Sequence, residues 1–117
     1  MSGARSYRAG AAAEAAVARH YRDRGCTVAA ARWRGTGGEL DLVLRDGAGL
    51  IFVEVKKSRS FAAAAARLTP RQIARITDTA SEFLGGEPAG QDTPARFDVA
   101  LLDAQGRVEI VENALGP

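Results

Sequence analysis

Cysteine is nearly absent: Cys26 is the only one in 117 residues. No internal disulfide can form, and a reducing cytoplasm is the expected setting. His20 is likewise the only histidine, so no Cys/His set exists for zinc and no second imidazole for a histidine-based site. A solvated helix position is its expected place. No run of about 18 apolar residues occurs, which argues against a transmembrane helix. The Ala-rich N-terminal stretch is interrupted by Glu14 and Arg19, which makes it a poor signal-peptide core. Gly37-Gly38 is not followed by Gly-Lys-Ser/Thr and leads into a strand, so it is no phosphate loop. There is no internal repeat.

What remains is ordinary for one globular domain over residues 1–117: 46% hydrophobic and 26% charged residues, with a net charge of +2. The charge is unevenly spread. Residues 1–36 hold seven Arg and two acids, whereas residues 91–117 hold two Arg and five acids. That asymmetry permits a polyanion-binding face without requiring one.

Periodicity and punctuation predict the order α-β-β-β-α-β-β, a mixed α/β domain. An Ala-rich helix spans about Tyr7–Arg24 and stops at Gly25. Val17, Tyr21 and Gly10 share its stripe, and Glu14 sits at the stripe's edge. Strands follow near Thr27–Trp33, Glu39–Arg45 and Leu50–Ser58, with Arg34–Gly38 as a flexible connection. Ser60–Leu68, with its five-Ala run, fits either helix or loop. The second helix opens with Thr69 as N-cap, Pro70 at its first position and Gln72 completing a capping box. Its buried stripe is Ile73, Ile76, Ala80 and Phe83 or Leu84, and it ends at Gly85. After a polar loop, strands at Arg96–Asp103 and Arg107–Glu112 flank Ala104-Gln-Gly106.

The stretch GELDLVLRDGAGLIFVEVKK, Gly38 to Lys57, carries the chemistry. Side chains alternate along a strand. Leu40, Leu42 and Leu44 should share one face with Ile51, Val53 and Val55. The other face takes Glu39, Asp41 and Val43 with Phe52, Glu54 and Lys56. A loop at Asp46–Gly49 pairs Arg45 with Leu50, Val43 with Phe52, Asp41 with Glu54 and Glu39 with Lys56. Asp41 and Glu54 then stand opposite each other, with Cβ atoms roughly 5 Å apart. Such a like-charged pair is tolerable if water screens it, if one acid is protonated, or if a cation lies between them. A hard cation such as Mg²⁺ or Mn²⁺ accepts one or two carboxylates with water and phosphate oxygens, and the Val55 carbonyl is a further oxygen. Lys56 beside them suits phosphodiester hydrolysis: it can orient water, take a proton or stabilise the transition state. The plainer reading is a wet sheet face of alternating charge. Glu39 is open between pairing with Lys56 and acting directly. Trp33, between Arg32 and Arg34, is open between stacking on a base and packing on the core.

Glu14 on the first helix, Gly38-Glu-Leu-Asp-Leu42, Phe52-Val-Glu-Val-Lys56 and Arg96-Phe-Asp-Val99 together resemble the PD-(D/E)XK nuclease superfamily. More narrowly, they resemble the YraN-type family of small bacterial proteins, similar to archaeal Holliday-junction resolvases. The resemblance covers nearly the whole chain. It implies a restriction-endonuclease-like mixed sheet flanked by helices, Asp41 and Glu54 as metal ligands and Lys56 as catalytic lysine. It also places Glu14 near the metal. The family often has a basic residue near Gln72; here Gln72 stands beside Arg71. The function expected is Mg²⁺- or Mn²⁺-dependent cleavage of DNA, including branched DNA, in the cytoplasm, with a homodimer suited to paired cuts. Arg5, Arg8, Arg32, Arg34, Arg71 and Gln72 are the candidate DNA-backbone contacts. The alternative is a binding or protein-interaction module that keeps the fold without cutting.

Overall fold

A computed structural model describes residues 2–57, 60, 62–63 and 66–114, with side chains from residue 10 onward. The elements, in chain order, are α1 (Ser2–Arg22), β1 (Thr27–Arg34), β2 (Glu39–Asp46), β3 (Gly49–Lys57), α2 (Pro70–Leu84), β4 (Ala95–Leu102) and β5 (Val108–Val111). The expected order holds. Helix α1 starts earlier than expected, at Ser2, because the small residues before Tyr7 continue the helix without a breaker. The side chains of Arg5 and Arg8 lie outside the described residues, as do Ser58, Arg59 and part of the five-Ala run.

Helix α1 closes where the glycine predicts. Gly25 adopts φ +92, its N–H bonds the Arg22 carbonyl at 2.9 Å, and the Cys26 N–H bonds the Tyr21 carbonyl at 3.1 Å. This doubly bonded helix end needs left-handed backbone, which glycine adopts without a Cβ penalty. Helix α2 begins with the expected capping box. The Thr69 hydroxyl accepts from the Gln72 N–H at 3.2 Å, and the Gln72 carboxamide accepts from the Thr69 N–H at 3.1 Å. Thr69→Ala should cost about 1 kcal/mol, read as a lower urea midpoint at unchanged m.

The five strands lie in the order β1-β2-β3-β4-β5, so each strand's neighbour in the sheet is its neighbour in sequence. All pairs are antiparallel except β3 with β4, which α2 connects as a crossover. The β2–β3 register agrees with the alternation argument where Val43 opposes Phe52 and Arg45 opposes Leu50, but the ladder stops at Leu42↔Val53, so the expected Asp41–Glu54 and Glu39–Lys56 ladder pairs do not form. The loop is tighter than expected, because Asp46 and Gly49 also pair. That leaves Gly47 and Ala48 as the turn, and Gly47 supplies φ +60.

Each face of the sheet is covered by a helix. Val17, Ala18 and Tyr21 of α1 pack on Leu42, Leu44, Ile51, Val53 and Ala100. Ile76 and Ala80 of α2 pack on Leu40, Val43, Leu50 and Phe52. Burying a side chain of this size contributes about 1.5–3 kcal/mol. The expected face of Leu40, Leu42 and Leu44 is therefore divided: Leu40 lies on the α2 side. The cause is local. Arg32, facing the Leu40–Leu42 stretch across β1, has φ 51, a left-handed conformation rare for a bulky residue. The β2–β3 ladder also ends at Leu42↔Val53. β2 keeps its pairs with β1 through Trp33↔Leu40 and Arg34↔Glu39 but has no β3 partner beyond Leu42, and there Leu40 lies in the other layer. The Arg34–Gly38 connection, expected to be flexible, is tied to α2. The Thr36 N–H and hydroxyl donate to the Glu82 carboxylate at 2.9 and 3.2 Å.

Candidate functional site

Past Leu42↔Val53 the two central strands stop exchanging backbone bonds. The Val55 N–H, which a continuing ladder would give to a β2 carbonyl, instead donates to Asp41 Oδ2 at 2.9 Å. The aspartate thereby caps the opened ladder, and its carboxylate is pinned in the gap between strands. A residue that offers its N–H to one neighbouring strand offers its carbonyl to the same side, so the Val55 carbonyl also faces this gap.

Glu54 and Lys56 alternate with Val53 and Val55, which pack on the α1 side. Both polar side chains therefore emerge on the α2 side. Glu54 Oε1 lies 3.5 Å from Lys56 Nζ, and the two side chains are only 14% and 17% exposed. The Asp41 carboxylate is within hydrogen-bonding reach of Glu54. Burial, and next the negative charge of Asp41, push the Glu54 carboxyl up to about 8, against the pull of Lys56. Glu54 thus tends to keep its proton beside the neighbouring acid. Oxygens of Asp41, Glu54 and Val55 are those that a cation at this spot would meet. Among the described residues, no three His, Cys, Asp or Glu side chains form a group able to hold a metal on their own.

A stability–pH relation follows. Between about 4.5, the ordinary Glu value, and about 8, the folded protein holds a proton on Glu54 that the unfolded chain has released. Unfolding then releases a proton, so the metal-free protein should lose stability as pH rises through that window. Glu54→Gln should flatten the slope and exceed wild type in urea midpoint at pH 8.5. Parallel pH profiles for the two proteins would overturn the raised Glu54 carboxyl.

The remaining expected residues are placed as follows. Glu14 is held by Arg32, Oε1 to Nε at 2.9 Å. Burial raises its carboxyl, Arg32 opposes that rise, and the charges of Asp41 and Glu39 add smaller increases, so Glu14 feels the Asp41 site electrostatically. Arg32 is 27% exposed and occupied by Glu14. Arg34 is 81% exposed and reaches Glu39 Oε2 at 3.3 Å; this answers the open reading of Glu39, whose partner is Arg34 across β1, while Lys56 goes to Glu54. Arg71 is exposed on the first turn of α2. Gln72 is taken up by the helix cap. Trp33 packs edge-on against Phe83, ring centroids 5.1 Å apart, which settles it as core packing. Cys26 is buried and free. His20 meets the Tyr21 ring edge-on at 5.9 Å.

Sequence reasoning missed a second polar centre. Asp98 is 1% exposed and accepts four hydrogen bonds. They come from the Tyr21 hydroxyl at 2.7 Å, Arg96 Nε at 3.0 Å, Arg96 Nη2 at 3.2 Å and the Asn113 N–H at 3.0 Å. The available signal was the Arg-x-Asp spacing, which puts Arg96 and Asp98 on one face of a strand.

The comparisons agree with one another. The family model described as "Uncharacterised protein family UPF0102" matches residues 13–102. A UPF0102 protein of Cereibacter sphaeroides is 66% identical over 114 residues, covering 97% of this chain and 97% of its own length. Those of Ruegeria pomeroyi and Roseobacter denitrificans are 55% and 54% identical over 114 residues. Each covers 97% of this chain, with 93% and 88% of their own lengths matched. With a family model spanning most of its residues and relatives aligned along nearly all of it, the chain belongs to the UPF0102 family, the YraN-type family its motifs resemble.

Proposed function

We propose that this protein is a metal-dependent endonuclease of the PD-(D/E)XK kind, hydrolysing phosphodiester bonds in DNA, with branched DNA, as for Holliday-junction resolvases, the favoured substrate. One observation carries the reading: two half-buried carboxylates meet in the gap of an opened strand ladder, with a lysine 3.5 Å from one of them. A purely structural pair of this kind costs stability and returns nothing.

The donor set fits a hard divalent cation. Mg²⁺ commonly takes one or two carboxylates and leaves its other positions to water and phosphate, which suits a site of Asp41, Glu54 and the Val55 carbonyl. Such an ion would acidify water and neutralise phosphate charge. The chain's own residues do the rest. The Val55 N–H fixes the Asp41 rotamer, and the low exposure of Glu54 and Lys56 strengthens every charge interaction there. Lys56 brings its N–H donors to where a scissile phosphate's oxygens would lie. Glu14 steadies Arg32 beside the site.

The test is cleavage of supercoiled, single-stranded, flap and four-way-junction DNA with Mg²⁺, Mn²⁺ or EDTA. Metal-dependent cutting of one of these is expected. Binding to DNA without cutting under either metal would replace the nuclease reading with the non-cleaving module.

A further inference from the structure

We propose that Arg75 and Arg71 of α2, with the Gly38 backbone as their seat, form a track for nucleic-acid phosphates leading into the Asp41–Glu54 site. This rests on the nuclease reading for its purpose, though not for its test.

Arg71 and Arg75 are one helical turn apart and both exposed, so their side chains project from one edge of the helix. Neither guanidinium has a hydrogen-bond or ion-pair partner among the described residues, unlike those of Arg32, Arg45, Arg96 and Arg107, which pair with carboxylates. Of the acids nearby on α2, Glu82 is occupied by Thr36, and Asp78 makes no ion pair with Arg75. These two guanidiniums are therefore available cations.

The position of Arg75 is set by contact. A Cβ on Gly38 would lie 2.9 Å from Arg75 Cδ, 3.0 Å from its Cγ and 3.2 Å from Thr79 Oγ1. The stem of Arg75 thus lies on bare backbone. Thr79 cannot yield, being 1% exposed with its hydroxyl bonded to the Arg75 carbonyl at 2.8 Å. Gly38 is three residues before Asp41, at most about 10 Å along the chain. Glu54 and Lys56 emerge on this same α2 side. Phosphates of one strand are spaced about 3.4 Å along a duplex axis, so a backbone entering the site would pass Arg75 within about three nucleotides. Planar guanidiniums suit phosphate oxygens.

The test is DNA binding by fluorescence anisotropy in EDTA, over a series of salt concentrations, with the full chain and a 20-base-pair duplex. Arg75→Ala should reduce the slope of log K against log salt by about one, and the double variant with Arg71→Ala by about two. Arg75→Lys should restore most of the slope. Arg19→Ala, on α1, should leave it unchanged. Gly38→Ala removes no charge but displaces the Arg75 stem, and should weaken binding; a mere net-charge effect would leave it untouched. Wild-type slopes in Arg75→Ala, equal losses in Arg19→Ala, or no binding by wild type would each overturn the track. If the slopes change as stated but no DNA is cut with Mg²⁺ or Mn²⁺, the phosphate track stands and the nuclease reading fails. If cutting occurs and the slopes do not change, the reverse holds.

Discussion

Lys56→Ala is expected to lower metal-dependent cleavage by about 10²–10³-fold, the range for removing one aimed donor from a transition state. Asp41→Ala and Glu54→Ala should take it below detection, because each removes half of the carboxylate pair. Folding stability should move the other way for Glu54. Its buried carboxyl, raised to about 8 by burial and by Asp41, is a liability without a cation, so Glu54→Gln should unfold at higher urea than wild type at pH 8.5. Lost activity with gained stability marks a site kept for chemistry rather than for folding. Cleavage rates and urea midpoints from one preparation of each variant check both signs. Activity surviving all three alanine substitutions would assign the cutting to another site or a contaminant. A Glu54→Gln protein less stable than wild type would make the pair a structural one.

Asp98→Ala should be the most damaging single change to the fold, by about 3–5 kcal/mol. It leaves the Arg96 guanidinium, the Tyr21 hydroxyl and the Asn113 N–H without their shared acceptor. Arg96 keeps a contact with Glu112 at 3.6 Å, but that carboxylate is 68% exposed and too well solvated to compensate. Tyr21→Phe removes one bond to a charged acceptor and should cost about 1.5–3 kcal/mol. Urea unfolding at pH 7 reads both, and a loss under 1 kcal/mol for Asp98→Ala would mean that the centre is relaxed by water. Because Asp98 faces the α1 side through Tyr21, its loss should spare the proposed DNA contacts of α2 in whatever fraction of the protein remains folded.

Much of this was legible in the residues, and the exceptions have a common cause. Thr69, Pro70 and Gln72 state their helix start locally, since every partner of the cap is within three residues. The Val43–Phe52 register is written in the alternation of two strands joined by a two-residue turn, and Gly25 marks the end of α1. The alternation also placed Asp41 and Glu54 side by side, but as a ladder pair that the shortened β2–β3 ladder does not form. The exact manner of their meeting was not legible. It depends on the β2–β3 ladder stopping at Leu42↔Val53 and on Asp41 replacing a ladder carbonyl. Asp98 was read only as part of a strand motif; Arg96 lies two residues away, but its other partners come from 77 and 15 positions away. Thr79, which the sequence did not single out, is buried with its hydroxyl satisfied by the helix itself. Arg75 carried a local sign, its four-residue spacing from Arg71, but the Gly38 backbone that seats it comes from another part of the chain.

The consecutive order of the strands bears on how the chain acquires its shape. A growing polypeptide can add each strand to the one just delivered, and only the β3–β4 step must wait for an intervening helix. Such a plan keeps early loop-closure entropy small and favours rapid assembly. Helix α1 is the exception: it precedes the strands it packs on, and the hydroxyl of Tyr21 finds its carboxylate only after 77 further residues have left the ribosome.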